Sequence, residues 1–238
     1  MSEQTGVISG RSPVRPLPTK YVVFAAIVAM GTYVLYHNES FLLDWSAPVW
    51  NHYDPFKWWL LPHGLSGACA LFLAPMQFAE GFRRHYTTVH RTIGTFYVVG
   101  CFILAPLGLY IQYLDEAQGA AWSFTIETVI QSSTLMITTG IGLYFARKRQ
   151  FIYHRQWMIR SYAVALTFLE IRVILGVFGL DQPFDRHVVE TVVWSCVASS
   201  LLIGDIANQL YEAHLTRRRA TSRGKDAALR APIAIGGE

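Results

Sequence analysis

Two histidine–arginine pairs are the residues of this chain best suited to chemistry. His90-Arg91 and His154-Arg155 each stand at the start of a long apolar stretch, and Arg160 follows the second pair. Two neutral imidazoles that face each other across a helical bundle can hold haem iron through both axial positions. Arginine suits haem propionates, because its planar fork offers paired donors to a carboxylate. The pattern therefore predicts a b-type haem site with the two histidines as iron ligands and the three arginines at the propionates.

The same two pairs have a simpler interpretation at a membrane surface. An arginine can extend its charged end to lipid headgroups, and a neutral histidine at a helix start can form a capping hydrogen bond. Both interpretations stay open from the sequence alone. His37, His85 and His187 lie in or beside polar links and receive no chemical role.

A second set of ionisable residues is expected near the opposite end of the apolar stretches. It consists of His63, Glu127, Arg172 and Glu190, one in each of four stretches. Ionisable groups are costly inside a bilayer, so this outer polar set predicts a path for a solute or for protons. The structural alternative is an ion pair of Arg172 with Glu127 or Glu190, because a lone buried arginine is unfavourable. A metal site from His63, Glu127 and Glu190 is a further alternative, although these residues lack the close ligand spacing that is typical of such centres.

Asp205 and Arg160 stand one to two turns inside their stretches on the other side, and the sequence predicts that they form an ion pair. Cys69, Cys101 and Cys196 occur singly without a CxxC motif, which indicates small packing residues.

Six apolar stretches must position these residues. A transmembrane helix needs about 20 mostly apolar residues. The expected spans are Tyr21–Tyr36, Trp58–Ala79, Thr92–Tyr113, Trp122–Phe145, Gln156–Gly179 and Val188–Tyr211. The sequence therefore predicts an all-α bundle of six transmembrane helices over residues 21–211, between a flexible tail at 1–20 and a flexible basic tail at 212–238. The first span lacks an evident cleavage site, which favours an uncleaved helix over a signal peptide.

Positive charge is concentrated on alternate links, and this pattern predicts the orientation. The tails and the second–third and fourth–fifth links are basic, whereas the opposite links hold only Lys57 and Arg186. By the positive-inside rule both termini are cytoplasmic. The chain carries a net charge of +4, and because the basic residues flank spans, anionic lipid headgroups are the expected partner rather than nucleic acid.

The longest external link, from about residue 37 to residue 57, is rich in aromatic residues. Trp and Tyr favour the headgroup level of a bilayer, which predicts an interfacial anchor. A lid over an outward-facing pocket is the alternative. The aromatic residues are Phe41, Trp45, Trp50, Tyr53 and Phe56, followed by Trp58 and Trp59.

From Pro62 to about Asp205 the chain resembles the bacterial membrane protein family known as domain of unknown function 2306. The resemblance rests on three segments and on the late Arg172 and Trp194. The segments are Ala74-Pro75-Met76-Gln77-Phe78, His90-Arg91-Thr92-Ile93-Gly94 with Tyr97, and the run from His154 to Tyr162. This resemblance implies a multi-pass protein of the bacterial inner membrane and supplies no reaction.

Six helices in a chain of this size are also similar to the cytochrome b561 proteins, which carry two haems and move electrons across a membrane. That family pairs ligands on the second and fourth helices and on the third and fifth. Here His63, His90 and His154 occupy the second, third and fifth spans, and the fourth has no histidine. The similarity therefore implies only the third–fifth haem.

Three functions follow from these patterns. The first is a redox protein with one haem b, served by a quinone or a small reductant. The second is a transporter or proton-coupled carrier that uses the outer polar set. The third is an accessory subunit beside a respiratory or biogenesis complex, with small-residue faces for packing. Whether the chain is an enzyme is left undecided by the sequence.

Overall fold

The computed structural model describes residues 19–44, 46–78, 80–180 and 185–230 of the chain. Expectations that concern residues 1–18, Trp45, Ala79 and residues 231–238 lie outside these ranges. Within them the chain forms eight α-helices and no strand, so the expected all-α class is confirmed. The helices are α1 Thr19–His37, α2 Trp50–Tyr53, α3 Lys57–Gln77, α4 Glu80–His85, α5 Thr87–Ala117, α6 Trp122–Arg147, α7 Phe151–Val177 and α8 Arg186–Arg230.

Four helices are long and apolar enough to cross a membrane. They are α3, α5, α6 and the Arg186–Thr216 part of α8, with mean hydropathies of 1.3, 1.8, 1.2 and 1.5. In α1 the apolar part is shorter, Tyr21–His37, and α7 is not among the four. Length and hydropathy therefore support a membrane protein with four of the six expected spans.

Helix α7 can carry polar side chains because other helices surround it. It packs against α1, α3, α6 and α8, and its central segment Ser161–Ala165 is buried throughout. A helix in the middle of a bundle contacts few lipid tails, so its polar side chains can find partners on neighbouring helices. This position explains why α7 can carry charged side chains such as Arg160, Glu170 and Arg172 at the centre of the fold.

Glycines set the closest helix contacts. A Cβ added at Gly100 of α5 would lie 3.1 Å from the backbone oxygen of Ser66 on α3. A Cβ at Gly204 of α8 would lie 3.0 Å from Cα of Arg160 on α7. Small residues at such points let two backbones approach closely, which increases the van der Waals contact that holds membrane helices together.

The helix ends are determined by local backbone geometry. Helix α6 ends where Arg149 adopts a left-handed φ of 58° and the Gln150 amide donates to the Phe145 carbonyl at 2.9 Å. Helix α7 ends before Gly179, whose φ is 61°. Helix α8 instead continues to Arg230, past residue 211 where the sixth span was expected to end.

The aromatic link between α1 and α3 folds into a compact cluster. Phe41 packs on Trp50 and Tyr53 with ring centroids 5.2 and 5.5 Å apart. The Trp50 indole donates to the Asp44 carbonyl at 3.0 Å, and only 2% of Phe56 is exposed. Across the same surface, His52 lies 3.5 Å from Asp115 at the end of α5. The link is therefore held by its own ring contacts and by the neighbouring helix.

Candidate functional site

The two histidine–arginine pairs meet at one end of the bundle. Helices α5 and α7 begin at Thr87 and Phe151, so His90 and His154 each lie in a first turn. The imidazole of His154 lies near that of His90, and Arg83 of α4 lies near both. The fold therefore brings together the two residues that the sequence singled out as haem ligands.

The ring nitrogens of the two histidines are held differently. Nδ1 of His154 lies 2.8 Å from the backbone oxygen of Gly142 on α6. This contact orients the ring and leaves Nε2 as the nitrogen open to a ligand, as in most metal-bound histidines. Nδ1 of His90 is buried and has no hydrogen-bond partner within the described residues.

Gln77 at the end of α3 adds a second unsatisfied group at this end of the bundle. Its Nε2 is also buried and unpartnered in the described part of the chain. Its Oε1 lies 3.4 Å from the point where a Cβ on Gly94 would stand, and Gly94 follows His90 by one helical turn. Buried polar groups are nearly always hydrogen-bonded, so each of these two nitrogens is a candidate for contact with a bound group.

The arginines expected at the propionates have other partners on α8. Arg155 forms an ion pair with Glu212, and its guanidinium lies 3.9 Å from the Tyr211 ring centroid. Arg160 Nε donates to Asp205 Oδ1 at 2.6 Å, which confirms the ion pair expected from the sequence. The propionate role of Arg155 and Arg160 stays a prediction that requires these pairs to open.

Arg91 is exposed and forms no ion pair among the described residues. Arg83 lies near both imidazoles. Arg91 and Arg83 are therefore the arginines of this cluster that remain available to an anionic group.

The outer polar set is not hydrogen-bonded as one group. Nδ1 of His63 contacts the Leu104 carbonyl oxygen at 3.1 Å, and Gly108 makes room for the ring. Glu190 accepts from Arg186 Nε at 2.9 Å and from Ser123 Oγ at 2.8 Å. Arg186 stands one turn before Glu190 on the same helix, so it neutralises this carboxylate locally.

Glu127 and Arg172, which the sequence suggested as partners, form no ion pair among the described residues. Glu127 is 6% exposed. Its Oε2 accepts weakly from the Thr128 hydroxyl at 3.3 Å, and its Oε1 has no partner within the described ranges. The Arg172 guanidinium lies 5.5 Å from the Phe168 ring centroid. The expected ion pair of Arg172 with Glu127 or Glu190 is therefore not formed in the described chain.

No three histidine, cysteine, aspartate or glutamate residues of the described ranges lie close enough together to hold a metal ion. The metal alternative for His63, Glu127 and Glu190 therefore gains no support.

A hydroxyl network in the bundle centre was not expected from the sequence. Ser161 Oγ lies 2.7 Å from both Tyr97 Oη and Thr139 Oγ1, which links α7 to α5 and α6. All three residues are at most 1% exposed, and Cys101 lies against Tyr97 and Thr139. Single small polar residues in apolar stretches give only a weak signal, because their meeting depends on how the helices are rotated.

One of the comparisons with known proteins identifies the family, and none adds a reaction. A family model described as "Predicted membrane protein (DUF2306)" matches residues 60–207. No curated protein and no solved structure matches the chain. The similarity to cytochrome b561 proteins thus gains no support from these comparisons. Since the matched range is more than half of the 238 residues, the chain belongs to the DUF2306 family of predicted membrane proteins.

Proposed function

We propose that this chain is a multi-pass redox protein of the bacterial inner membrane that binds one b-type haem between His90 and His154. In this proposal six helices cross the membrane and both termini are cytoplasmic. The haem then lies near the cytoplasmic face, within reach of a quinone in the bilayer or of a respiratory complex as electron partner.

One observation carries the proposal: two histidines in the first turns of α5 and α7 stand at the same end of the bundle, and each retains a ring nitrogen without a protein partner in the described residues. The contact of His154 Nδ1 with the Gly142 oxygen favours Nε2 as the ligating atom. A bound haem would supply one-electron chemistry, and the chain would supply axial ligation and local polarity.

Charge near the imidazoles also supports an anionic cofactor. Arg83 lies near both histidines, and Arg91 follows His90 directly in the sequence. These two arginines can neutralise propionates without breaking an ion pair with α8. Arg155 and Arg160 would serve this role only if Glu212 and Asp205 were displaced.

An absorption spectrum of the purified chain tests the proposal. The chain is expressed with adequate haem, purified in mild detergent, and measured before and after dithionite. We expect a sharp reduced α-band that is lost in His90→Ala and in His154→Ala. His63→Ala is the matched control, because His63 lies on α3 with its own backbone contact, and it should keep the band. A flat spectrum, or an unchanged haem content in both variants, would refute the assignment.

A second function, a proton-coupled carrier, is favoured by Glu127. This carboxylate is buried in α6 with one oxygen unpartnered among the described residues, and a membrane carboxylate of this kind is a candidate proton relay. Proton entry into dye-loaded proteoliposomes under a membrane potential tests it. We expect Glu127→Gln to abolish the flux and Glu190→Gln, at an already paired carboxylate, to retain it. A flux equal to that of empty liposomes would contradict this function.

A further inference from the structure

A groove runs along the outside of the bundle between α6 and α8. Both helices pack along α7, whose side chains form the floor. Two adjoining cavities of about 340 and 230 Å³ occupy the groove, and both are lined by Thr134 and Leu201. Thr134 and Leu201 therefore mark the place where the two cavities adjoin.

The groove is about as long as one leaflet of a bilayer is thick, and its Asp205 end lies one to two turns inside the expected end of the sixth span. It extends along α8 from Trp194 to Asp205, which is about 16 Å at 1.5 Å per residue. Half of a hydrocarbon core of about 30 Å is about 15 Å. The sides are largely apolar, with Ile137 and Val197 among the lining residues. One lipid acyl chain therefore fits the groove in length and in polarity.

The groove carries two opposite charges at one end. Arg160 and Asp205 form their ion pair there, and their side chains keep 25% and 47% of their surface exposed. The Arg160 guanidinium lies 4.8 Å from the Trp157 ring centroid, which holds it in place. Only Oδ1 of Asp205 is bonded to Arg160, so Oδ2 and the terminal N–H groups of the arginine can bind a further partner.

We propose that this groove binds a zwitterionic phospholipid with a primary ammonium headgroup. The Arg160 guanidinium donates to the phosphate, the ammonium donates to Asp205, and one acyl chain lies along Thr134 and Leu201. The ion pair is neutral overall, so an anionic lipid gains from the arginine but is repelled by the carboxylate. A phosphoethanolamine headgroup matches both charges at once.

Hydrogen bonding distinguishes this headgroup from choline. A primary ammonium offers three N–H donors, as a lysine does, whereas a quaternary choline offers none. Charge-assisted hydrogen bonds are about twice as strong as neutral ones. The site should therefore prefer ethanolamine to choline although the two lipids carry the same charges.

Native mass spectrometry of the full chain in detergent tests the inference. Phosphatidylethanolamine, phosphatidylcholine and phosphatidylglycerol with identical acyl chains are added at equal concentrations. We expect phosphatidylethanolamine to bind about tenfold more tightly than either competitor, a difference of about 1.4 kcal/mol. Equal retention of the three lipids by the wild type would overturn the proposal.

Two variants test the headgroup contact and the acyl-chain contact separately. Asp205→Asn should lower the affinity for phosphatidylethanolamine to that for phosphatidylcholine. Thr134→Phe, which fills the middle of the groove, should weaken all three lipids alike. Full ethanolamine preference in Asp205→Asn, or unchanged binding in Thr134→Phe, would overturn the proposal.

The neighbouring ion pair of Arg155 with Glu212 supplies the control. It joins the same two helices but does not line either cavity. Glu212→Gln should leave lipid binding unchanged, and an equal loss in this variant would show that the effect of Asp205→Asn is structural. The inference does not depend on the haem, since lipid preference is measured whether or not the protein has a visible spectrum.

Discussion

Replacing Gly100 by alanine should weaken the contact between α3 and α5. The new Cβ would lie 3.1 Å from the Ser66 backbone oxygen and 3.7 Å from the Cys69 Cβ. The Ser66 oxygen is backbone and cannot turn away, so the two helices must separate by a few tenths of an ångström. Overpacking of this kind costs about 1–3 kcal/mol.

Gly64→Ala on α3 is the matched control for this substitution. Nothing lies within 4 Å of a Cβ at Gly64, so the added methyl group meets no neighbour. Alanine has a higher helix propensity than glycine by up to about 1 kcal/mol, and this gain is common to both variants. The difference between the two variants therefore isolates the cost of the close contact at Gly100.

Thermal unfolding in detergent, followed by the loss of the monodisperse peak in size-exclusion chromatography, measures this difference. For a chain of this length 1 kcal/mol corresponds to about 2–4 °C in the midpoint. Gly100→Ala should therefore unfold about 2–12 °C below Gly64→Ala. Equal midpoints would refute the reasoning, because they would mean that α3 and α5 are not in backbone contact at Gly100.

Two further predictions concern the ends of the helices. Arg149→Gly should raise the free energy of unfolding by about 1 kcal/mol in a chemical unfolding titration, because Arg149 has a left-handed φ of 58°; Lys148→Gly, at a φ of −78°, should give no such gain. Burial raises the pKa of Glu39, and the nearby positive charge of Arg172 opposes the shift. A raised carboxyl pKa stabilises the fold at low pH and loses that contribution as pH rises past 4.5. The thermal midpoint of Glu39→Gln should therefore fall less with rising pH than that of the wild type, and parallel pH profiles would contradict this.

Hydropathy along the sequence was sufficient to locate most of the helices, but it did not show which helix lies at the centre of the bundle. The start of α6 at Trp122 was predicted to the residue, and the start of α3 within one residue. A span must be apolar where lipid contacts it, and this requirement is local in sequence. Helix α7 can be more polar, because its central position in the bundle leaves it with little lipid contact.

The candidate sites were predictable to different degrees. Arg160 and Asp205 form an ion pair as expected. The two residues stand at a similar depth in their helices, and opposite charges stabilise each other inside a membrane. Depth alone failed for Arg172, because Glu190 already has Arg186 one turn away on its own helix. Depth is readable from the sequence, but the rotation of a helix about its axis is not.

The sequence by itself determined that this is an all-helical membrane protein and that two histidines stand in the first turns of their helices. These properties depend on composition and local spacing, which a bilayer constrains directly. Only the tertiary structure decided that Tyr97, Thr139 and Ser161 share hydrogen bonds, and that α6 and α8 leave a groove ending at Asp205. Such meetings depend on the rotation and offset of packed helices, which arise from contacts among residues far apart in the chain.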